Sequence, residues 1–187
     1  QTSYRSLLVA PYGIRRGIVR RIDDEIEAHL SGESGARVQI KENSLVDEAI
    51  IDACYRASQA GVPVDIVVRG ICAIVPGRPG LSENITVRSI LGPFLEHSRV
   101  LHFGSADEYW IGSADMMHRN LDRRVEVLVR LPDADSVAEV GELLDLAFAD
   151  DTMAWLLDAE GDWKRNGGEV HLQEELIERQ KRRRTGS

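Results

Sequence analysis

Arg37-Val38-Gln39-Ile40-Lys41 alternates apolar with polar residues, and Asn43-Ser44 turns the chain. Val46 to Ala60 then repeats Ile50, Ile51, Cys54 and Tyr55 at helical spacing up to Gly61, and Val64-Asp65-Ile66-Val67-Val68 returns to a β-branched run. Such changes of period predict strand, helix, strand. On the N-terminal side, Leu7-Leu8-Val9-Ala10 is an apolar run stopped by Pro11. Ile14, Ile18, Ile22, Ile26 and Leu30 follow every four positions, and Gly32 and Gly35 end that helix. The order strand, helix, strand, helix, strand implies right-handed crossovers in a largely parallel sheet.

Beyond Gly70 the register changes. Pro76-Gly77-Arg78-Pro79-Gly80 is a loop, Ile85-Thr86-Val87-Arg88 a strand, and Gly92-Pro93 a turn. Val100 to Phe103 and Tyr109 to Ile111 read as a hairpin, and Val125 to Val129 as a further strand. Ser136 to Phe148 reads as an amphipathic helix and Met153 to Leu157 as a last strand. Glu169 to Arg184 is a terminal helix ending in the basic run Lys181-Arg182-Arg183-Arg184. The fold class expected is α/β, a mostly parallel mixed sheet flanked by helices, in one domain over 1–187 with a terminal helix and basic tail over 169–187.

The 187 residues are 43% hydrophobic and 29% charged, the balance of a globular domain. No apolar run reaches the roughly 18 residues of a membrane span. Cys54 and Cys72 match no metal-ligand spacing and no disulfide framework, so a cytoplasmic setting is expected. The basic tail leaves open a peripheral contact with acidic lipid. A net charge of −8 argues against nucleic acid as a partner. Gln1 in place of Met suggests a piece of a longer chain. Between Arg69 and Arg124, however, seven arginines stand against six acids, which fits a local anion site.

Strands of an α/β sheet deliver functional groups at their carboxyl ends. Arg69 ends the third strand beside Gly70, where the backbone can approach a ligand; an anion contact and a salt bridge both fit its position. Lys41 and Asn43 stand at a neighbouring strand end and are candidates for the same anion. His97 lies between Glu96 and Ser98-Arg99, just before an apolar strand. An imidazole there can donate to a phosphate oxygen or move a proton while arginines spread charge. A purely structural histidine is the other reading. Gly112-Ser113-Ala114-Asp115 follows the hairpin. Arg119 and Arg123 could line a polyanion channel, with Asp122 and Glu126 as ready partners; Arg124 is expected to pair structurally. His118 reads as a site wall or an exposed residue, and His29, His102 and His171 as surface or packing residues.

His97-x-Arg99, a strand, then Gly112-Ser113-x-Asp115 is similar to the H-x-K and G-S-x-N pair of the phospholipase D superfamily. Arg99 replaces Lys and Asp115 replaces Asn, so Asp115 is expected to orient His97 or an arginine. Longer matches surround it: Val67-Val68-Arg69-Gly70-Ile71-Cys72, Pro76-Gly77-x-Pro79-Gly80-Leu81-Ser82-Glu83-Asn84-Ile85, Phe94-Leu95-Glu96-His97-Ser98-Arg99, and Ser113-Ala114-Asp115 through Arg119-Asn120-Leu121-Asp122-Arg123-Arg124-Val125-Glu126. These resemble the bacterial polyphosphate kinase (polyphosphate kinase 1) family, in the second of its two C-terminal phospholipase-D-like halves, densely over about residues 5–130.

The resemblance implies reversible transfer of the terminal phosphate of ATP to inorganic polyphosphate, with Mg²⁺. Arg69 and His97 are then the ATP-phosphate contacts, and the phosphorylated histidine lies in the preceding half. Main magnesium ligands are expected in other domains. Implied partners are ATP or ADP, polyphosphate, the preceding domains and a homo-oligomer, with the isolated chain inactive. The family usually carries Arg where this chain has Pro93. Two alternatives stay open: a non-catalytic polyphosphate- or nucleotide-binding module, and a phospholipase-D-type phosphodiesterase pairing two copies of His97.

Overall fold

The computed structural model describes residues 6–185. The elements are β1 (Leu7–Val9), α1 (Ile14–Leu30), β2 (Val38–Glu42), α2 (Glu48–Gln59), β3 (Val64–Val68), β4 (Ile85–Ser89), β5 (Val100–Phe103), β6 (Glu108–Gly112), α3 (His118–Arg123), β7 (Val127–Arg130), α4 (Ala134–Phe148), β8 (Trp155–Leu157), β9 (Trp163–Arg165) and α5 (Leu172–Thr185). The strands form one nine-stranded sheet in the order β1-β7-β6-β5-β2-β3-β4-β8-β9.

The mixed α/β class holds, but the expected predominance of parallel pairing is corrected. Among the described strands, only β2–β3 and β3–β4 pair in parallel. The other six pairings are antiparallel. Local order misled because β1 does not sit beside β2. It takes the sheet edge against β7, and the β5–β6 hairpin and β7 fill the space between. Four successive antiparallel pairings bring β1 back to the direction of β2. The terminal strand expected at Met153–Leu157 is followed by an antiparallel partner, β9. Helix α3, six residues long, was not expected.

β3 explains the layering. Its residues alternate between faces, as strand geometry requires, and four of the five are buried. Val64, Ile66 and Val68 join Ile14, Ile18 and Ile22 of α1 and Ile50, Ala53, Cys54 and Ala57 of α2 in one apolar cluster. Val67 points the other way, into a second cluster with Ile90, Leu146, Ala147, Ala154 and Leu172. The sheet thus separates an α1/α2 core from an α4/α5 core. Helix α2 starts at Asp47, whose carboxylate accepts the Ile50 N–H at 3.3 Å. Past its C-terminus, Gly61 takes φ +94°, where a Cβ would also strike the His29 ring. Cys54 and Cys72 are free thiols.

Parallel β2 and β3 end at the same side of the sheet where antiparallel β5 begins and β6 finishes. Leu45, just past β2, bridges in parallel to Cys72 on one side and Met116 on the other. The segments leaving β2, β3 and β6 are thereby laced together. That is the edge where the candidate residues fall.

Candidate active site

Five candidate residues form one unbroken chain of side-chain contacts. Arg69, at the end of β3, donates through Nε to Asn43 Oδ1 at 2.8 Å and also through Nη2. Asn43 Nδ2 lies 3.4 Å from Asp115 Oδ2. Both Asp115 oxygens accept from Arg99, from Nε at 2.9 Å and Nη2 at 3.1 Å. Arg99 in turn lays its guanidinium against His97, Nη1 3.1 Å from Nδ1 and Nη2 3.2 Å from Nε2. The partner of Arg69 is thus an amide, which leaves its positive charge uncompensated, whereas Arg99 is neutralised by a two-point carboxylate contact. Asp115 orients an arginine, and that arginine supports the exposed His97.

Burial sorts the remaining candidates. Lys41 is buried, and its ammonium is spent on Glu96 Oε1 at 2.6 Å and Ser98 Oγ at 2.7 Å. Gly70 gives close approach to backbone: its N–H donates to Asn43 O at 2.8 Å, and a Cβ would crowd that oxygen. Ser113 stands apart from the chain, its hydroxyl donating to Glu126, whose other oxygen accepts from Asn120 Nδ2 at 2.9 Å. Arg119 and Arg123 are exposed on α3, and their side chains carry no hydrogen bond or ion pair among the described residues. Arg124 lies 3.9 Å from Glu126. His118 is exposed and held between Asp122 and Glu48 at 2.9 and 2.7 Å; those carboxylates raise its pKa. His102 is buried against Gln39 and stacks on Tyr109.

Glu42 was not among the candidates. It is the inward-facing residue between Lys41 and Asn43, its carboxylate fully buried, with neither oxygen hydrogen-bonded. Arg99 Nε is 3.9 Å away. Burial first, and repulsion from Asp115 second, push the Glu42 carboxyl well above its ordinary pKa against the pull of Arg99 and Lys41. Glu96, Ser98 and Gln173 were also missed. The first two were legible only as polar neighbours of His97, and Gln173 had no local signal.

A hard cation such as Mg²⁺ needs several free oxygen ligands. Around His97, Asp115 is committed to Arg99, Glu96 to Lys41, and Glu42 is sealed in the interior. Asp47, Glu48 and His118 cluster elsewhere, but the Arg15 guanidinium already bridges Asp47 and Asp122. These residues do not fit a magnesium cage.

Comparison with known proteins decides among families. The description "Polyphosphate kinase C-terminal domain 2" matches residues 7–175. The chain belongs to that family. Polyphosphate kinases of Mycolicibacterium gilvum and Streptomyces coelicolor are 57% and 56% identical to it over 97% of its length. The chain spans about a quarter of each. The crystal structure of polyphosphate kinase from Porphyromonas gingivalis superposes with a TM-score of 0.90 at 34% identity, over 99% of this chain and 29% of that one. NucT from Helicobacter pylori, at TM-score 0.54 and 17% identity over 75% of this chain and 92% of its own, shares the fold. So does Nuc from Salmonella typhimurium, a phospholipase D family member, at 0.51 and 18% over 73% and 87%. This polyphosphate kinase domain therefore has a phospholipase-D-type fold. Among its described residues, no helix is long and apolar enough to cross a membrane.

Proposed function

We propose that the chain is one half of the catalytic site of an ATP:polyphosphate phosphotransferase, with Arg69 and His97 holding phosphate groups. The carrying observation is the Arg69–Asn43–Asp115–Arg99–His97 chain, which fixes an uncompensated guanidinium and an exposed imidazole on one sheet edge. In the reaction, a histidine nitrogen supplied outside this chain attacks the terminal phosphorus of ATP. The N–P bond forms as the P–O bond to ADP breaks. The terminal oxygen of polyphosphate then attacks that phosphorus, forming a P–O bond and releasing the histidine. His97 contributes a hydrogen bond or a proton to the oxygens around phosphorus, and Arg69 offsets the charge that develops there. Mg²⁺ enters with the nucleotide, held by groups outside this chain. By this reading the chain alone is inactive, and its partners are ATP or ADP, polyphosphate and the rest of the enzyme, working in the cytoplasm.

The binding-module alternative rests on Arg69, whose guanidinium is held by an amide and can grip an anion without any chemistry. The phosphodiesterase alternative is left with the fold and with a motif lacking the usual Lys and Asn. One series separates all three: calorimetric titration of this chain with long-chain polyphosphate and Mg-ATP, phosphotransfer by the longer polyphosphate kinase chain that carries it, and release of product from a simple phosphodiester, which only the phosphodiesterase reading expects. His97→Ala is expected to lower phosphotransfer on the order of 10²–10⁴-fold, with unfolding unchanged because the side chain is exposed. Arg69→Ala is expected to weaken phosphate binding, and more so at low salt. Full phosphotransfer by His97→Ala would refute the proposal; tight binding without any phosphotransfer would leave the binding module.

A further inference from the structure

His97 sits in an irregular stretch. Ten residues, Ile90 to Arg99, link β4 to β5, and Leu91 to Leu95, His97 and Ser98 are all exposed. Holding such a segment in one conformation costs backbone entropy of about 1–2 kcal/mol per residue, so an exposed catalytic side chain on it needs anchors. The structure supplies two, and they meet at Glu96.

The first comes from α5. Gln173 lays its side-chain amide against the Phe94 peptide: Oε1 accepts the Phe94 N–H at 2.9 Å, and Nε2 donates to Phe94 O at 2.9 Å. Nε2 also reaches Glu96 Oε2 at 3.3 Å. A side chain thus pairs with a loop peptide as a neighbouring strand would. The loop passes so close that a Cβ on Gly92 would collide with Gln173. The second anchor comes from β2. Lys41 donates to Glu96 Oε1, to Ser98 Oγ and, at 3.5 Å, to Ser98 O, which uses all three of its N–H bonds. Ser98 Oγ donates to the same Glu96 oxygen at 2.8 Å. Burial raises the cost of ionising Glu96, yet Lys41, Ser98 and Gln173 together hold its pKa below the ordinary value.

His97 therefore lies between two pinned residues. Helix α5 is itself fixed, by Leu172 in the α4/α5 core and by Arg183, which pairs with Glu139 and Glu142 of α4 at 3.2 and 2.7 Å. We propose that Gln173 and Lys41 are positioning residues that set His97 from behind through Glu96, and that α5 is thereby part of the catalytic apparatus. This rests on the assignment of His97 above.

The test uses Gln173→Ala, a change on a half-buried helix face that leaves Leu172 in place. In this chain, amide hydrogen exchange at Phe94, whose N–H the Gln173 side chain accepts, is expected to accelerate at least tenfold, while amides of β2 and β3 keep their rates. In the longer enzyme, kcat is expected to fall about tenfold with KM for polyphosphate changed less than threefold, as a misplaced catalytic group predicts. Lys41→Met is expected to act in the same direction but more strongly, and Lys41→Met/Glu96→Met removes the unpaired acid should the single variant fold poorly. Unchanged loop exchange together with unchanged kcat in Gln173→Ala overturns the proposal. Accelerated exchange with unchanged kcat overturns the catalytic part of it. Failure of wild-type phosphotransfer sinks the assignment of His97 instead, and the exchange data still judge the anchor.

Discussion

The two ends of strand β5 differ in how they treat charge. At its far end, beneath the β5–β6 turn, a cavity of about 780 Å³ opens between α1 and the hairpin, lined among others by Leu8, Arg16, Glu25, Phe103 and Glu108. Its acids are satisfied. Glu25 is buried and accepts from the backbone N–H groups of Arg37 and Ser105 and from the Ser105 hydroxyl at 2.6 Å. Glu108 accepts from Arg21, Arg130 and Trp110. At the near end the Glu42 carboxyl oxygens and Asn120 Oδ1 are buried without a hydrogen bond, while His97, Arg119 and Arg123 face outward. A hollow whose buried acids are all paired is architecture. An open edge that presents the exposed guanidinium groups of Arg119 and Arg123 is where a polyanion can still gain something.

That contrast can be broken at either end. The largest effect is expected from Glu25→Ala, which strips three donors of their acceptor at once. A loss of about 3 kcal/mol in denaturant unfolding is expected, with phosphotransfer unchanged once the protein is folded. A fall in kcat at permissive temperature would show that the two ends are not separable.

Glu42→Gln probes the other end and should behave oppositely. The folded pKa of Glu42 lies above its unfolded value. Between those two values the native state holds a proton that the unfolded chain has lost, so its stabilisation is complete below the unfolded pKa and disappears as pH rises through the folded one. Replacement by Gln removes that loss. Stability is expected to rise relative to wild type, and more at pH 8 than at pH 5, in paired denaturant curves. A gain independent of pH would mean that Glu42 never changes protonation.

The smallest effect is expected from Arg119→Ala/Arg123→Ala. Polyphosphate affinity should fall about threefold to tenfold, and the slope of log affinity against log salt should become shallower. An unchanged slope would place both side chains outside the polyanion path.

The sequence was most informative where structure is local. The four-residue apolar spacing from Ile14 to Ile22 and the β-branched run Val64–Val68 each report their own burial, and both elements stand as expected. Pairing is not local, so nothing in Leu7–Val9 told that β7 would be its neighbour. Trp163-Lys164-Arg165 is exposed throughout and lacks a buried face to betray a strand. At the site, Arg99 and Asp115 stood out by motif spacing, because they flank the paired strands β5 and β6, one just before the first and one just after the second. Lys41 looked like a ligand contact from its strand-end position; only the folded chain brings Glu96 and Ser98 onto its ammonium. Gln173 lies far along the chain from Phe94, where no periodicity operates.

The exposed strand β9 also governs how the molecule behaves in company. An open sheet ends in unpaired backbone groups that invite another chain to add on. Here the outermost strand is three residues long and carries Lys164 and Arg165, with Lys164 tied to Asp158 at 2.6 Å. A second copy approaching that border in register would bring cation against cation in a stretch too short to repay it. Fibrillar stacking through this edge is thereby discouraged.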